Sequence, residues 1–313
     1  MLAYIVRRLL YLVFILFAVS VLTFLMVHLV PGDPARVMAG IDASQEDIEL
    51  MRKKLGLDLP LHVQYLRYIG AVLRGDLGES IRTGRPLAES LLARFPATAE
   101  LAVISLLIAL LIAIPAGVIS ATKANTMWDY LTMTTAVLGV SMPSFWRGLM
   151  LMLLFSLTLR WLPASGRGEP FLSWEWLRHI ILPSLTLGLG AAAMLSRLTR
   201  SSLLEVLNQN YVTTARSKGL SERRVVMRHA LRNALIPVVT MAGMQFGWLL
   251  GGTVVIESVF AWPGIGRLLV HSIFARDFPV IRGGVLLMAA SFSLINLAVD
   301  LLYGILDPRI RYE

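Results

Sequence analysis

The sequence predicts an all-α integral membrane protein with six transmembrane helices, and two observations carry that expectation. Of its 313 residues 56% are hydrophobic and only 16% charged, with a mean hydropathy of +0.69. A soluble domain needs about a quarter of its residues charged to hydrate its surface. The apolar residues also gather into six runs, each long enough to cross ~30 Å of hydrocarbon, a distance that takes roughly 20 helical residues. An ordinary cytosolic enzyme and a disordered chain are both excluded. The absence of cysteine removes disulfides, thiolate nucleophiles, Fe–S clusters and Cys-based zinc sites together.

The first run is Leu9–Val30. The stretch begins MLAYIVRRLL, which has the look of a secretory signal, but the length of its apolar run and the lack of a clear A-x-A site predict a retained signal anchor. The second is Ala97–Ala121, with Glu100 near its start and Pro115 and Gly117 near its end. The third, Tyr130–Leu159, is long for one crossing and is interrupted by Ser141, Met142, Pro143 and Ser144, so a tilt or a kink at Pro143 must absorb the excess. Ile180–Leu198, Leu235–Ile256 and Val285–Leu306 complete the set. Residues 1–96 then hold the first span and a long outer segment, 97–306 a five-helix core with a loop at 199–234, and 307–313 a tail.

Alternation of six spans puts Arg7, Arg8, Lys123, Arg309, Arg311 and the eight basic residues around the fourth-to-fifth loop on one side. The positive-inside rule makes that side cytoplasmic, with both termini there. The net charge of +9 is therefore largely topological: nucleic acid is not an expected partner, whereas membrane lipids are. The outer segment is long enough to translocate despite its basic residues. It reads as two amphipathic helices. Ser44 and Asp47 form a capping-box pattern, Ile48, Met51 and Leu55 share a face, and Gly56 suits the C′ position. A second helix follows Pro60, with Leu66, Ile69 and Leu73 on one side, and ends at Gly75. A lid on the membrane surface and a platform for an external partner both fit this pattern.

Enzymatic machinery is not visible: there is no H-E-x-x-H, no G-x-S-x-G, no Walker A sequence and no histidine cluster with metal-ligand spacing. No catalytic residue, metal site or cofactor of its own is expected, so energy from ATP has to come from another polypeptide. Asp300, with Asn296 one turn before it, reads either as an ion site or as the partner of Arg197 or Arg8. Arg147, beyond the break at Pro143, either snorkels to the outer interface or lines a polar path; Ser141 and Gln245 are the other candidates for such a path. Gln245 reads equally as a hydrogen bond between helices. Gly243, Gly247 and Gly251 recur every four residues and make a smooth stripe for helix packing, within the chain or against a second subunit.

The loop SSLLEVLNQNYVTTARSKGLSERRVVMRHALRNALIP is far longer than a passive connector. It has helical periodicity, a break at Gly219, and Ser221 placed to cap a second helix. A helix, a sharp turn and a second helix form a rigid projection suited to docking on another protein; a basic loop resting on anionic headgroups would not call for the small Thr213, Thr214 and Ala215 before Gly219.

At this point the sequence resembles the EAA loop of ABC importer permeases. Thr213, Thr214 and Ala215 stand in the E-A-A positions, and Arg216, Ser217 and Lys218 precede the glycine, Gly219. The chain departs from the general I-x-L-P continuation, with His229, Ala230, Leu231 and Arg232 there and its proline delayed to Pro237. The whole form YVTTARSKGLSERRVVMRHALRNALIPVVT is similar to the peptide and nickel branch. HLVPGDPAR, LGLDLPLHVQYLRYI, RGDLGES, FAWPGIGRLL and DLLYGILDPRIRY resemble the same branch, so the similarity covers essentially the whole chain. The family is that of dipeptide, oligopeptide, glutathione and nickel permeases, B-type subunit.

The resemblance implies a multi-pass subunit of a type I ABC importer in a bacterial inner membrane. It implies a homologous C-type permease, two ABC ATPase subunits that carry ATP and Mg, and an external solute-binding protein that meets the long outer loop. Tyr211, Thr213, Thr214, Ala215, Arg216, Lys218, Gly219 and Leu220 would couple the chain to the ATPase. The implied cargo is a short peptide, a dipeptide, oligopeptide or glutathione, with a nickel complex as the alternative on the same scaffold. The rival outside the family is an ion-driven secondary transporter using Asp300.

Overall fold

The computed structural model describes residues 2–29, 35–36, 43–54 and 56–306, and they are almost entirely helical. Twelve helices are used below: α1 (Leu2–Leu29), α2 (Gln45–Lys54), α3 (Leu61–Leu73), α4 (Leu87–Thr122), α5 (Met127–Ser141), α6 (Ser144–Met152, continued by a π-helical turn, Leu153–Thr158), α7 (Trp174–Leu207), α8 (Asn210–Ser217), α9 (Glu222–Gly252), α10 (Val254–Val259), α11 (Ile265–Ala275) and α12 (Phe278–Leu306). Five of them are long and apolar enough to cross a membrane, and the number is six when the bent pair α5 and α6 is counted as one span. The expected kink is a turn of 106° across Met142 and Pro143. Most helices overrun the apolar runs that announced them. α4 begins ten residues before Ala97 and α7 extends past Leu198, because polar helical ends can project beyond hydrocarbon where water satisfies them. The fifth span ends sooner than Ile256: α9 stops at Gly252 and α10 is a separate short helix. The expected tail, 307–313, and Leu55 lie outside the described residues.

Packing divides the chain into two units, residues 1–97 with 264–294 and residues 98–263 with 295–313. In the first, the capping box at the start of α2 is formed: the Ser44 backbone N–H donates to Asp47 Oδ2 at 3.1 Å, and the Asp47 N–H donates to Ser44 Oγ at 3.2 Å. Gly56, at φ +67°, closes the helix with N–H bonds from Gly56 to Lys53 and from Leu57 to Arg52, the paired bonds of a Schellman end. α3 is also present, and the side that carries Leu66 and Leu73 is not the one that packs on α1. Leu66 and Leu73 are exposed, while Tyr65 and Tyr68 turn inward against α1. Their rings meet Phe24, and the Tyr65 hydroxyl lies 2.8 Å from Ser20 Oγ. Aromatic area and a hydroxyl partner together outweigh the leucine stripe. Arg282 stacks 3.9 Å from the Tyr68 ring centroid, and Leu87, Leu91, Ile265, Leu269 and Val280 form the core of this unit.

In the second unit α7 is the central helix, packed on α5, α6 and α9. Its contact with α4 and α9 is built from small residues, Ala109, Ala113, Ala191, Ala192 and Ala242, around Leu195 and Val238. Small side chains let helix axes approach closely, which is how helices associate where lipid offers no hydrophobic driving force.

Candidate functional site

The connection between α7 and α9 is a built projection. Val212 and Ala215, one helical turn apart on α8, are buried on a base made by Ala121, Leu203, Val225, Val226 and Ala230. Leu220 packs on the same cluster. Tyr211, Thr213, Thr214, Arg216 and Lys218 stand outward. The small residue at 215 is therefore the one that lets α8 sit down. Gly219 has φ +77° and open space around the position of a Cβ, so it is required by backbone conformation. Ser221 occupies the N-cap position of α9, but its hydroxyl makes no capping bond. Instead, Arg216 and Glu222 close the turn from either side, with Nη2 to Oε1 at 2.6 Å and Nε to Oε2 at 3.0 Å. That hydrogen bonding, reinforced by the carboxylate charge, holds the Arg216 guanidinium above its ordinary value. The Tyr211 hydroxyl accepts from Asn233 Nδ2 at 2.8 Å and fixes α8 against α9.

The bend in the third span has its own clamp. Helical bonding would pair the Gly139 carbonyl with the N–H of residue 143, but that residue is proline and has none. Arg147 Nη1 donates to the Gly139 carbonyl in its place, and Arg147 Nε donates to the Thr186 carbonyl of α7 at 2.8 Å. Arg147 is buried at 8% exposure, which corrects the expectation that it snorkels. Its guanidinium occupies the space that a Cβ on Gly190 would fill. Ser141 is exposed beside the bend and donates to the Val137 carbonyl.

One constellation went unread in the sequence. Asp129, 3% exposed at the start of α5, accepts two bonds from Arg200 of α7, at 2.8 and 2.7 Å. It also accepts from Ser120 of α4 and from the Asn125 backbone N–H. Three helices are thus tied at one carboxylate. A second tie joins α4 to the segment before α7, where Glu100 accepts a fork from Arg167 at 3.0 and 2.7 Å and Trp176 Nε1 at 3.1 Å. In both cases the only sequence signal was a carboxylate at the start of an apolar run.

A cavity of about 910 Å³ opens among α5, α7 and α9. Its wall includes Leu187, Met194, Arg197, Gln245 and Trp248. Of the candidate path residues, Gln245 is on this wall and its amide donates to Met194 Sδ at 3.2 Å; Arg147 lines a smaller cavity of about 490 Å³ at the bend. The glycine stripe divides. Gly243 packs tightly on Val299 of α12, Gly247 is buried, and Gly251 faces open space. Asp300 is half-buried on α12, and Arg197 is not its partner, since Arg197 forms no ion pair among the described residues.

Membrane-length helices with an open cavity among α5, α7 and α9, and a helical projection between α7 and α9, are the features of a membrane permease. The chain belongs to the family described as binding-protein-dependent transport system inner membrane component, whose model matches residues 113–312. The corresponding N-terminal model matches residues 1–102. It is a permease subunit of a bacterial ABC importer and a multi-pass protein of the inner membrane, and membership implies ATPase and substrate-binding partners. It is 51% identical to the glutathione transport system permease protein GsiC of Salmonella paratyphi A, over 100% of both chains. It is 50% identical to the protein of that name from Escherichia coli (strain K12), again over 100% of both. Among solved structures, the methionine ABC transporter MetNI in an inward-facing conformation has the same fold, with a TM-score of 0.58 at 17% identity, covering 69% of this chain and 96% of that one. An amino acid ABC transporter aligns with a TM-score of 0.51 at 14% identity, over 71% of this chain and 94% of that one.

Proposed function

We propose that this chain forms half of the translocation pathway of an importer for short peptides, with glutathione as the favoured cargo, and that α8 is its coupling helix. The observation that carries the reading is an overall identity of 51% and 50% with glutathione transport permeases over the full length of both chains. A homologous C-type permease supplies the other half of the pathway, and an external solute-binding protein delivers the cargo to the outer segment. Two ABC ATPases, holding ATP and Mg, sit on the cytoplasmic side. The geometry of α8 supports its role: a helix packed at its base by Val212 and Ala215, with Thr213, Thr214 and Lys218 presented outward, transmits force without deforming. ATP binding then biases the spans through differential contacts at that helix.

The test is purification of the tagged chain from native membranes, identification of its companions by mass spectrometry, and reconstitution of the complex into vesicles. Recovery of a second permease and of Walker A ATPases, with ATP-dependent glutathione uptake, is the expected result. Recovery of the chain alone, or glutathione uptake that follows an ion gradient and ignores ATP, would overturn the reading.

A further inference from the structure

We propose that Arg197 is an anion-receiving group on the cavity wall and that it takes a carboxylate of the transported peptide. This rests on the peptide-import reading for the identity of the cargo.

The cavity among α5, α7 and α9 falls within the ~300–1,000 Å³ typical of sites for small organic ligands, at about 910 Å³. Its wall is mostly apolar and carries two cations, Arg197 and Arg200. They are not equivalent. Arg200 is spent on Asp129, to which it gives both arms of its guanidinium, so that pair contributes little net charge. Arg197 is exposed and forms no ion pair among the described residues. The wall therefore carries one uncompensated charge, and it is positive.

A solvent-facing arginine at a membrane surface is ordinary, but this one stands on the wall of the cavity. Gly190, Met194, Arg197 and Ser201 recur at helical spacing on α7, and all four line the cavity. Gln245 lies opposite, bonded to Met194, and offers a neutral amide to the same space. An apolar chamber with one cation and one amide favours a small solute bearing a carboxylate and amide bonds, which is the chemistry of a short peptide. An uncompensated charge on the wall of a mostly apolar cleft raises the local concentration of the oppositely charged solute, so a single arginine is enough to bias what enters.

The chain has no cysteine, which makes the test direct. Ser201→Cys, one helical turn from Arg197, is introduced into the assembled complex in membranes, with and without Arg197→Gln. Labelling rates of this chain are then measured with an anionic and a cationic methanethiosulfonate reagent. The expected ratio of anionic to cationic rates is higher with arginine at 197 by about threefold or more. It falls in Arg197→Gln and returns in Arg197→Lys. S-methylglutathione, which keeps both carboxylates and has no thiol, slows labelling when residue 197 is cationic, and its diamide does not. A ratio unchanged by Arg197→Gln, or equal protection by the diamide, overturns the inference. Protection that appears only in vesicles containing phosphatidylglycerol also overturns it, because it assigns the arginine to headgroups. None of these measurements requires transport. An anion preference in a complex without ATP-driven uptake would count against the peptide-import reading alone.

Discussion

Gly219 and Ala215 are small for different reasons. Ala215 is buried against the base of the projection, so size is limited there by packing. At Gly219 nothing lies within 4 Å of a Cβ position, yet φ is +77°, so the limit is conformational. The expected order of coupling at 219 is therefore Gly above Asn above Ala, since asparagine tolerates the left-handed region and alanine there costs about 1 kcal/mol. Gly219→Asp adds a charge to the docking face and abolishes coupling while the chain still inserts. Cargo-stimulated ATPase activity of the reconstituted complex checks the series; normal stimulation in Gly219→Asp would refute the assignment. Asp129 gives a second residue-level expectation. Asp129→Asn leaves Arg200 without its carboxylate, and because Arg200 stands on the cavity wall at 27% side-chain exposure the loss is expected to fall below the ~3–5 kcal/mol of a fully buried pair. Adding Arg200→Gln restores part of the loss, which thermal unfolding of the complex in detergent will show.

At the scale of elements, what was legible followed from how local the cause was. The capping box is a relation between residues three apart, and both of its bonds are formed. The Ser44 hydroxyl and then the Ser44 backbone N–H hold the Asp47 carboxyl below its ordinary value. A depressed carboxyl pKa means that this stabilisation is present above the unfolded value of about 3.9 and is lost as pH falls through the lower, folded value. Ser44→Ala should thus speed amide hydrogen exchange across α2 at neutral pH, and the difference from the parent chain should shrink toward pH 3; a difference independent of pH would contradict it. The break at Pro143 was legible for the same local reason, but its 106° turn was not, because Arg147 sets it through a carbonyl 39 residues away in sequence. Lysine has its donors on a single nitrogen and cannot place them at both the Nε and the Nη1 positions that Arg147 uses for its two carbonyls. Arg147→Lys is accordingly expected to leave one of them unpaired, at about 1–3 kcal/mol, and to lower the unfolding temperature of the complex. Asp129 was missed on the same principle, its arginine partner being 71 residues distant. The spacing on α3 put Leu66, Ile69 and Leu73 on one side without saying which side packs inward, and the aromatic partner Phe24 on α1 decides it for Tyr65 and Tyr68.

Over the whole molecule, the glycine stripe on α9 separates what the chain completes for itself from what it leaves to an assembly. Gly243 is already covered, since its place is taken up against Val299. Gly251 meets nothing, and Trp248 beside it is 71% exposed at the margin of the large cavity. A bulky aromatic and an open glycine next to the proposed pathway suit a second helix, and in this reading that helix belongs to the homologous permease, which encloses the pathway from its other side. The two ends of the stripe should then fail differently. Gly243→Leu forces α9 and α12 apart and lowers the yield of the chain itself in membranes. Gly251→Leu leaves that yield unchanged and reduces the amount of second permease recovered with it. Quantifying both chains after affinity purification separates the cases. Full recovery of the second permease with Gly251→Leu would place the open end of α9 against lipid and remove it from the interface.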